Sequence, residues 1–264
     1  MNDILLSILL GIIQGLTEFL PISSSAHLLF PSLLFGAQDL GLSFDIAVHG
    51  GTLLAVLMYF KSDLSLMLQA LNPFAKSYNE NSRQLALYLL IATFPIIVFG
   101  FIGSNFIENR NFGVVSIAYA NLFFAGVLLL AFKFGSASKT IYEVSVLTVL
   151  LIGIFQVFAL MPGASRSGVV ITAALIAGLN LKESSRFAFL LSIPTILGAL
   201  VFLLIDSANS IEAVNYLILL IGFCVSAIFA FYTIKIFLTF VEKIGMYPFV
   251  VYRLILGIIL LSIV

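Results

Sequence analysis

Gln14-Gly15-Leu16-Thr17-Glu18-Phe19-Leu20-Pro21-Ile22-Ser23-Ser24-Ser25-Ala26-His27 interrupts an apolar run over about 3–36, and Pro162-Gly163-Ala164-Ser165-Arg166-Ser167-Gly168 interrupts another at about 142–179. Proline removes a helical hydrogen bond and clashes with the preceding turn, and serine favours caps over helix interiors. Each run therefore reads as two half-helices meeting at a polar break. At 1.5 Å per residue, each half is too short to cross the ~30 Å hydrocarbon core comfortably, which predicts two re-entrant helical hairpins. Around them, apolar spans lie near 43–60, 85–106, 113–132, 186–205, 213–234 and 247–264.

Composition fixes the solvent for which these runs are built. Of 264 residues, 62% are hydrophobic and 9% charged, where an ordinary soluble domain carries roughly 25% charged residues. Only helices and closed barrels satisfy their backbone in lipid, and the runs lack the alternation of barrel strands. The expected class is an all-α integral membrane protein. Lys plus Arg and Asp plus Glu are balanced at 12 each, so no basic surface points to nucleic acid. The single Cys224 excludes a disulfide framework and a cysteine-based metal site. The first segment begins Met1-Asn2-Asp3 without a basic region and holds Gln14 and Glu18, so it does not read as a cleaved signal.

The halves repeat. Gly11-Ile12-Ile13-Gln14 aligns with Gly153-Ile154-Phe155-Gln156 at an offset of 142, which also carries Ser23 onto Ser165 and Ser25 onto Ser167. The prolines miss by one position, and Phe44 and Thr52 match Phe187 and Thr195 at an offset of 143. One membrane domain, 1–264, with repeat halves of about 1–135 and 140–264, is expected. A hairpin plus three spans is an odd number of crossings, so the second half is inverted. Inverted repeats with broken helices put their site near the midplane.

Loop charge gives the orientation. One set of connections holds Lys61, Lys76, Arg83, Lys133, Lys139, Lys182, Arg186, Lys235 and Lys243, and the other holds Arg110 beside Asp206 and Glu212. This asymmetry makes the first set cytoplasmic and puts both termini on the opposite side of the membrane.

Ionisable residues at membrane depth are costly and read as functional. Gln14 and Glu18, four apart, share a helix face; Ser23, Ser24 and Ser25 fill the first break, with His27 just beyond. The second break holds Ser165, Arg166 and Ser167, preceded by Gln156. Serines at helix N-termini and an arginine suit phosphate. A carboxylate that can hold a divalent cation with phosphate oxygens, and a histidine able to move a proton, complete a set for phosphoryl chemistry. A phosphate ester or anhydride on a lipid is the implied substrate. Ser24, His27 and an activated water all remain candidate nucleophiles. Asp45 and His49, also four apart, are read either as pocket residues or as packing, and Arg253, near the cytoplasmic end of the last span, as snorkelling to the interface.

The two quoted signatures resemble those of the bacterial undecaprenyl-diphosphate phosphatases of the bacitracin-resistance type. The resemblance implies two re-entrant hairpins and six spans in inverted repeats, and hydrolysis of undecaprenyl diphosphate to the monophosphate that carries cell-wall precursors. It also implies a divalent cation, Mg2+ or Ca2+. By the same resemblance Glu18, Ser24, His27 and Arg166 are catalytic, and Glu18 and Gln14 are metal ligands. Gln14, Ser23, Ser25, Gln156, Ser165 and Ser167 are the expected substrate-binding residues. Gln14 stands where many members have Glu, and Val170 where a Thr commonly closes the second signature, so that contact is absent or supplied by Thr172 or a serine. The expected partners are a polyprenyl diphosphate lipid and the bilayer, with a homodimer left open. A transporter or flippase of a phosphorylated polyprenyl lipid is the alternative, because broken-helix repeats also build transporters.

Overall fold

Long uninterrupted apolar stretches have nowhere to satisfy their backbone except within themselves, and the computed structural model is accordingly helical throughout. It describes residues 3–28, 33, 36, 40–74, 79–103, 113–135, 138–207 and 215–263. The helices are α1 Asp3–Thr17, α2 Ser24–Leu28, α3 Leu42–Tyr59, α4 Lys61–Leu71, α5 Glu80–Ile102, α6 Val114–Phe134, α7 Val146–Gln156, α8 Arg166–Ile176, α9 Leu181–Ser207, α10 Tyr216–Ile244 and α11 Tyr247–Ile263. An isolated bridge between Lys139 and Leu179 is the extent of β pairing among the described residues.

Five helices, α3, α5, α6, α9 and α10, are long and apolar enough to cross a membrane. The last expected span is α11, at 17 residues. The elements at the two breaks are shorter: α1 has 15 residues, and α8 has 11, about 16 Å of helix. Large apolar side chains cover the outside, among them Phe101, Phe123, Phe134 and Leu220. In a membrane protein that is the expected surface, since lipid tails solvate it.

Close helix packing in lipid relies on small residues, because there is no hydrophobic drive between helices. α1 and α3 lie on α10 where Gly15 and Gly51 meet Ser226. A Cβ at Gly51 would stand 2.2 Å from Ser226 Oγ, and one at Gly15 2.7 Å from the Ser226 carbonyl. α7 lies on α5 in the corresponding way, with a Cβ at Gly153 falling 2.5 Å from the Ala92 carbonyl. α6 packs on α11 through Gly257 and Leu122.

The connections that carry basic residues are tied together at one end. Arg186 pairs with Asp63 at 2.5 Å and Lys182 with Glu242 at 3.8 Å. Glu183 accepts from the Ile141 N–H at 3.5 Å. Lys76, Arg110 and Glu212 lie outside the described residues.

Candidate active site

At the first break α1 ends at Thr17, and the Glu18 N–H still donates to the Gln14 carbonyl at 3.0 Å, which keeps Gln14 and Glu18 on one face. The chain then turns through Ser23, at φ 70°, into α2. At the second break a 3₁₀ turn, Val157–Leu160, leads to Ser165, at φ 69°, and then α8. These are the positive-φ non-glycine residues among the described ones, and they occupy equivalent positions in the two quoted stretches. Holding a non-glycine residue there costs about 1–3 kcal/mol, so surrounding contacts must enforce it.

Those contacts run between the breaks. Ser25 Oγ accepts from the Gly163 N–H at 3.1 Å, and Ser167 Oγ donates to the Leu20 carbonyl at 2.9 Å. Within each break the paired hydroxyls also meet, Ser23 with Ser25 at 3.1 Å and Ser165 with Ser167 at 3.3 Å. Ser165 Oγ caps α8 by accepting from the Gly168 N–H at 3.3 Å. Replacing Ser165 by Ala should remove that cap and lower unfolding stability by about 1 kcal/mol. Ser165→Asn, which can cap and tolerates positive φ, should stay near the parental thermal midpoint in detergent. Equal midpoints for the two variants would contradict the capping role.

Glu18 is the hub joining the breaks. Its Oε2 accepts from Gln14 Nε2 at 2.9 Å and from Ser24 Oγ at 3.0 Å. Its Oε1 pairs with Arg166 Nη2, from the other break. Arg166 Nη1 also reaches the Ser192 carbonyl at 3.4 Å.

A cavity of about 310 Å³ opens on this hub. Glu18, Ser23, Ser24, Ser25, Ser165 and Arg166 line it, together with His49 and Thr195. Ile96, Leu160, Leu200 and Leu203 also line it, so the wall mixes polar and apolar groups. Pro95 in α5 and Pro194 in α9 bracket this region, each beside a lining residue.

Gln14, His27, Gln156 and Ser167 are not on the cavity wall. Gln156 Nε2 donates to the Ala92 carbonyl at 3.2 Å, and its Oε1 accepts from Thr195 at 3.3 Å. His27 Nδ1 lies 2.7 Å from the Ser23 carbonyl, which can only accept, so Nδ1 carries the proton. Its Nε2 then accepts from the Tyr252 hydroxyl at 2.6 Å in the neutral ring, with the two rings stacked. His49 does line the cavity, its Nδ1 donating to the Asp45 carbonyl at 2.8 Å. Val170 is buried in the core, and Thr172 donates to the Gly168 carbonyl at 2.6 Å, so its hydroxyl is committed to its own helix.

Arg253 does not snorkel. It is 0% exposed, ~9 Å along α11 from Tyr247, with its guanidinium turned inward beneath the breaks. Asn121 on α6 holds it there, accepting from Nε at 2.8 Å and donating to the Arg253 carbonyl at 2.7 Å. A hydrogen-bonded interior position replaces the interface that hydropathy suggested.

One detail bears on a divalent cation. Gln14 Oε1 is buried without a hydrogen-bond partner, while Nε2 of the same amide donates to the Glu18 carboxylate. An orphan acceptor costs about 1–3 kcal/mol, and turning the amide over would set its oxygen against the Glu18 carboxylate, a hard-donor pair suited to Mg2+ or Ca2+. Among the described residues no cluster of three His, Cys, Asp or Glu exists. The fit is therefore to an ion that takes its other oxygens from water and phosphate, as Mg2+ commonly does.

Comparison with known proteins gives the same direction. A protein from Alcanivorax borkumensis named undecaprenyl-diphosphatase is 45% identical over 256 residues, covering 97% of each chain. The family described as bacitracin resistance protein BacA matches residues 7–259. Coverage of nearly the whole chain by both, with the two broken signatures inside the matched region, leaves a single assignment: this chain belongs to the BacA family.

Proposed function

We infer that this protein is an integral-membrane phosphatase that hydrolyses undecaprenyl diphosphate to undecaprenyl phosphate and inorganic phosphate. The observation that carries the reading is Ser24 Oγ donating to Glu18, whose other oxygen pairs with Arg166, all three lining a cavity that apolar side chains also border. A nucleophile within hydrogen-bond reach of a base, oriented by a third group, is the arrangement of covalent catalysis.

In the proposed reaction Ser24 Oγ attacks the terminal phosphorus and its proton passes to Glu18. The bond from that phosphorus to the bridging oxygen breaks, undecaprenyl phosphate leaves, and Ser24 carries the phosphoryl group. Glu18 gives that proton to the departing undecaprenyl phosphate; water then attacks the phosphoserine, Glu18 takes the water's proton and returns it to Ser24 Oγ as that oxygen leaves, and phosphate departs. Arg166 has donors beyond those it gives Glu18 and Ser192, and these hold the phosphoryl oxygens. The capped N-terminus of α8 adds free N–H groups beside them. Gln14 and Glu18 would hold the divalent cation, which neutralises charge on the diphosphate when bound. The polyprenyl chain lies against the apolar lining, near Leu200 and Leu203. His27, hydrogen-bonded to the Ser23 carbonyl and Tyr252, buttresses the first break from outside the cavity.

Ser24→Ala should slow phosphate release from undecaprenyl diphosphate by at least ~10³-fold. A rate near that of the parent would eliminate Ser24 as nucleophile.

The inverted repeat with re-entrant hairpins is part of this reading. It is supported by the short helices at both breaks, by the paired serines at φ 70° and 69°, and by the exchange of partners in which α1 packs on α10 and α7 on α5. The same reading makes 1–264 one membrane domain and puts both termini on the non-cytoplasmic side of a bacterial inner membrane. In a Cys224→Ala background, cysteines at Asn79 and Lys243 should resist an impermeant thiol reagent in intact cells. One at Asn209, outside the described residues, should label. Labelling of the first pair would reverse the orientation.

A further inference from the structure

Among the described residues, one fully buried arginine, Arg253, is not used by the proposed reaction. Arg253 has no carboxylate partner within ion-pair distance among the described residues, yet its guanidinium is well filled with acceptors. Nη2 donates to the Gly163 and Ala164 carbonyls, each at 3.0 Å, Nη1 to the Pro21 carbonyl at 3.5 Å, and Nε to Asn121. Pro21 and Gly163 are equivalent positions, 142 residues apart, in the two quoted stretches. The planar fork therefore straddles both breaks at matching points. Each carbonyl it grips lies one or two residues before a positive-φ serine, Ser23 or Ser165. Next door, Tyr252 holds His27, which itself holds the Ser23 carbonyl.

Space for the guanidinium is reserved by the second signature. A Cβ at Gly168 would come 2.9 Å from Arg253 Nη1, so an alanine there would press on the fork.

We propose that Arg253 is a positioning residue for phosphoryl transfer, clamping the two breaks so that Ser24, Glu18 and Arg166 meet in one geometry. It acts through the backbone and touches no substrate. An ammonium cannot replace it, because a compact point charge cannot serve three carbonyls and an amide in fixed directions.

The proposal rests on the phosphatase reading for its kinetic arm and stands apart from it in the structural arm. Arg253→Lys should lower kcat about 10²-fold, with KM within about threefold and the thermal midpoint in detergent little changed. Gly168→Ala should lower kcat about tenfold by displacing the same group, and serves if Arg253→Lys fails to fold. Because Arg253 acts through Arg166, the double variant Arg253→Lys with Arg166→Lys should lose far less than the product of the single losses. Independently of activity, deuterium exchange in Arg253→Lys should rise at the amides of 163–168 and not in α10. Multiplying effects, or parental exchange at 163–168, would overturn the proposal. If the parent released no phosphate, the phosphatase reading would fall, and the exchange result alone would decide the clamp.

Discussion

Glu18→Gln should abolish measurable hydrolysis, a loss of at least ~10³-fold, while the protein still inserts and purifies. The size follows from three roles lost together. The carboxylate accepts from Ser24, pairs with Arg166 and accepts from Gln14, with which it would hold the cation. General-base loss alone costs about 10²–10⁴. An amide in its place also points an NH2 group at donors that need an acceptor. Breaking a buried ion pair by removing one partner can destabilise by about 3–5 kcal/mol. Here the Arg166 side chain is 15% exposed and borders a cavity that admits water, so the full penalty should not fall on folding. Phosphate release and divalent-cation dependence, measured on the purified variant, check both halves. Substantial residual activity that still responds to the cation would remove Glu18 from both roles.

The second large effect is expected at Arg166. A guanidinium offers a planar fork that can hold two oxygens at once, whereas lysine presents one compact charge. Losing a preorganised donor aimed at developing charge costs about 10²–10³ in turnover. Arg166→Lys should therefore lower kcat by about that factor with little change in KM, as expected for a contact made chiefly in the transition state. Arg166→Ala should be at least as damaging. If Arg166 served only to neutralise Glu18, replacing both by glutamine would restore activity along with charge balance. A double variant hydrolysing near the parental rate would end the phosphate-clamp role.

Much of this was legible in the sequence because lipid makes hydropathy decisive. The long apolar runs near 85–106, 113–132 and 213–234 become α5, α6 and α10, with boundaries moved by up to five residues except at the end of α10, which runs ten residues further to Ile244; helix starts follow caps such as Asn79 and Asn215 rather than hydropathy. The helix Lys61–Leu71 was hidden, because its amphipathic pattern lies within a charged connection. Glu18, Ser24 and Arg166 were findable as polar residues at membrane depth, and they meet in the cavity. Which histidine faces that cavity was not findable. His27 lies in the first signature but turns to Tyr252, a partner 225 residues away, whereas His49 reaches the wall from α3. Arg253 was misread for a related reason. Distance from a span's end suggests snorkelling, yet Asn121, another polar residue in an apolar span, was the available sign of an interior partner. A hydrogen bond between remote helices leaves no periodicity in either sequence.

The most direct test of the central claim uses purified protein in detergent, where no transmembrane gradient exists, with undecaprenyl diphosphate as substrate. The site described here should release one inorganic phosphate per lipid and leave undecaprenyl phosphate, and Glu18→Gln should not. Failure of the folded parent to release phosphate, with the same preparation moving the lipid between leaflets of sealed vesicles, would contradict the account and establish the transport alternative.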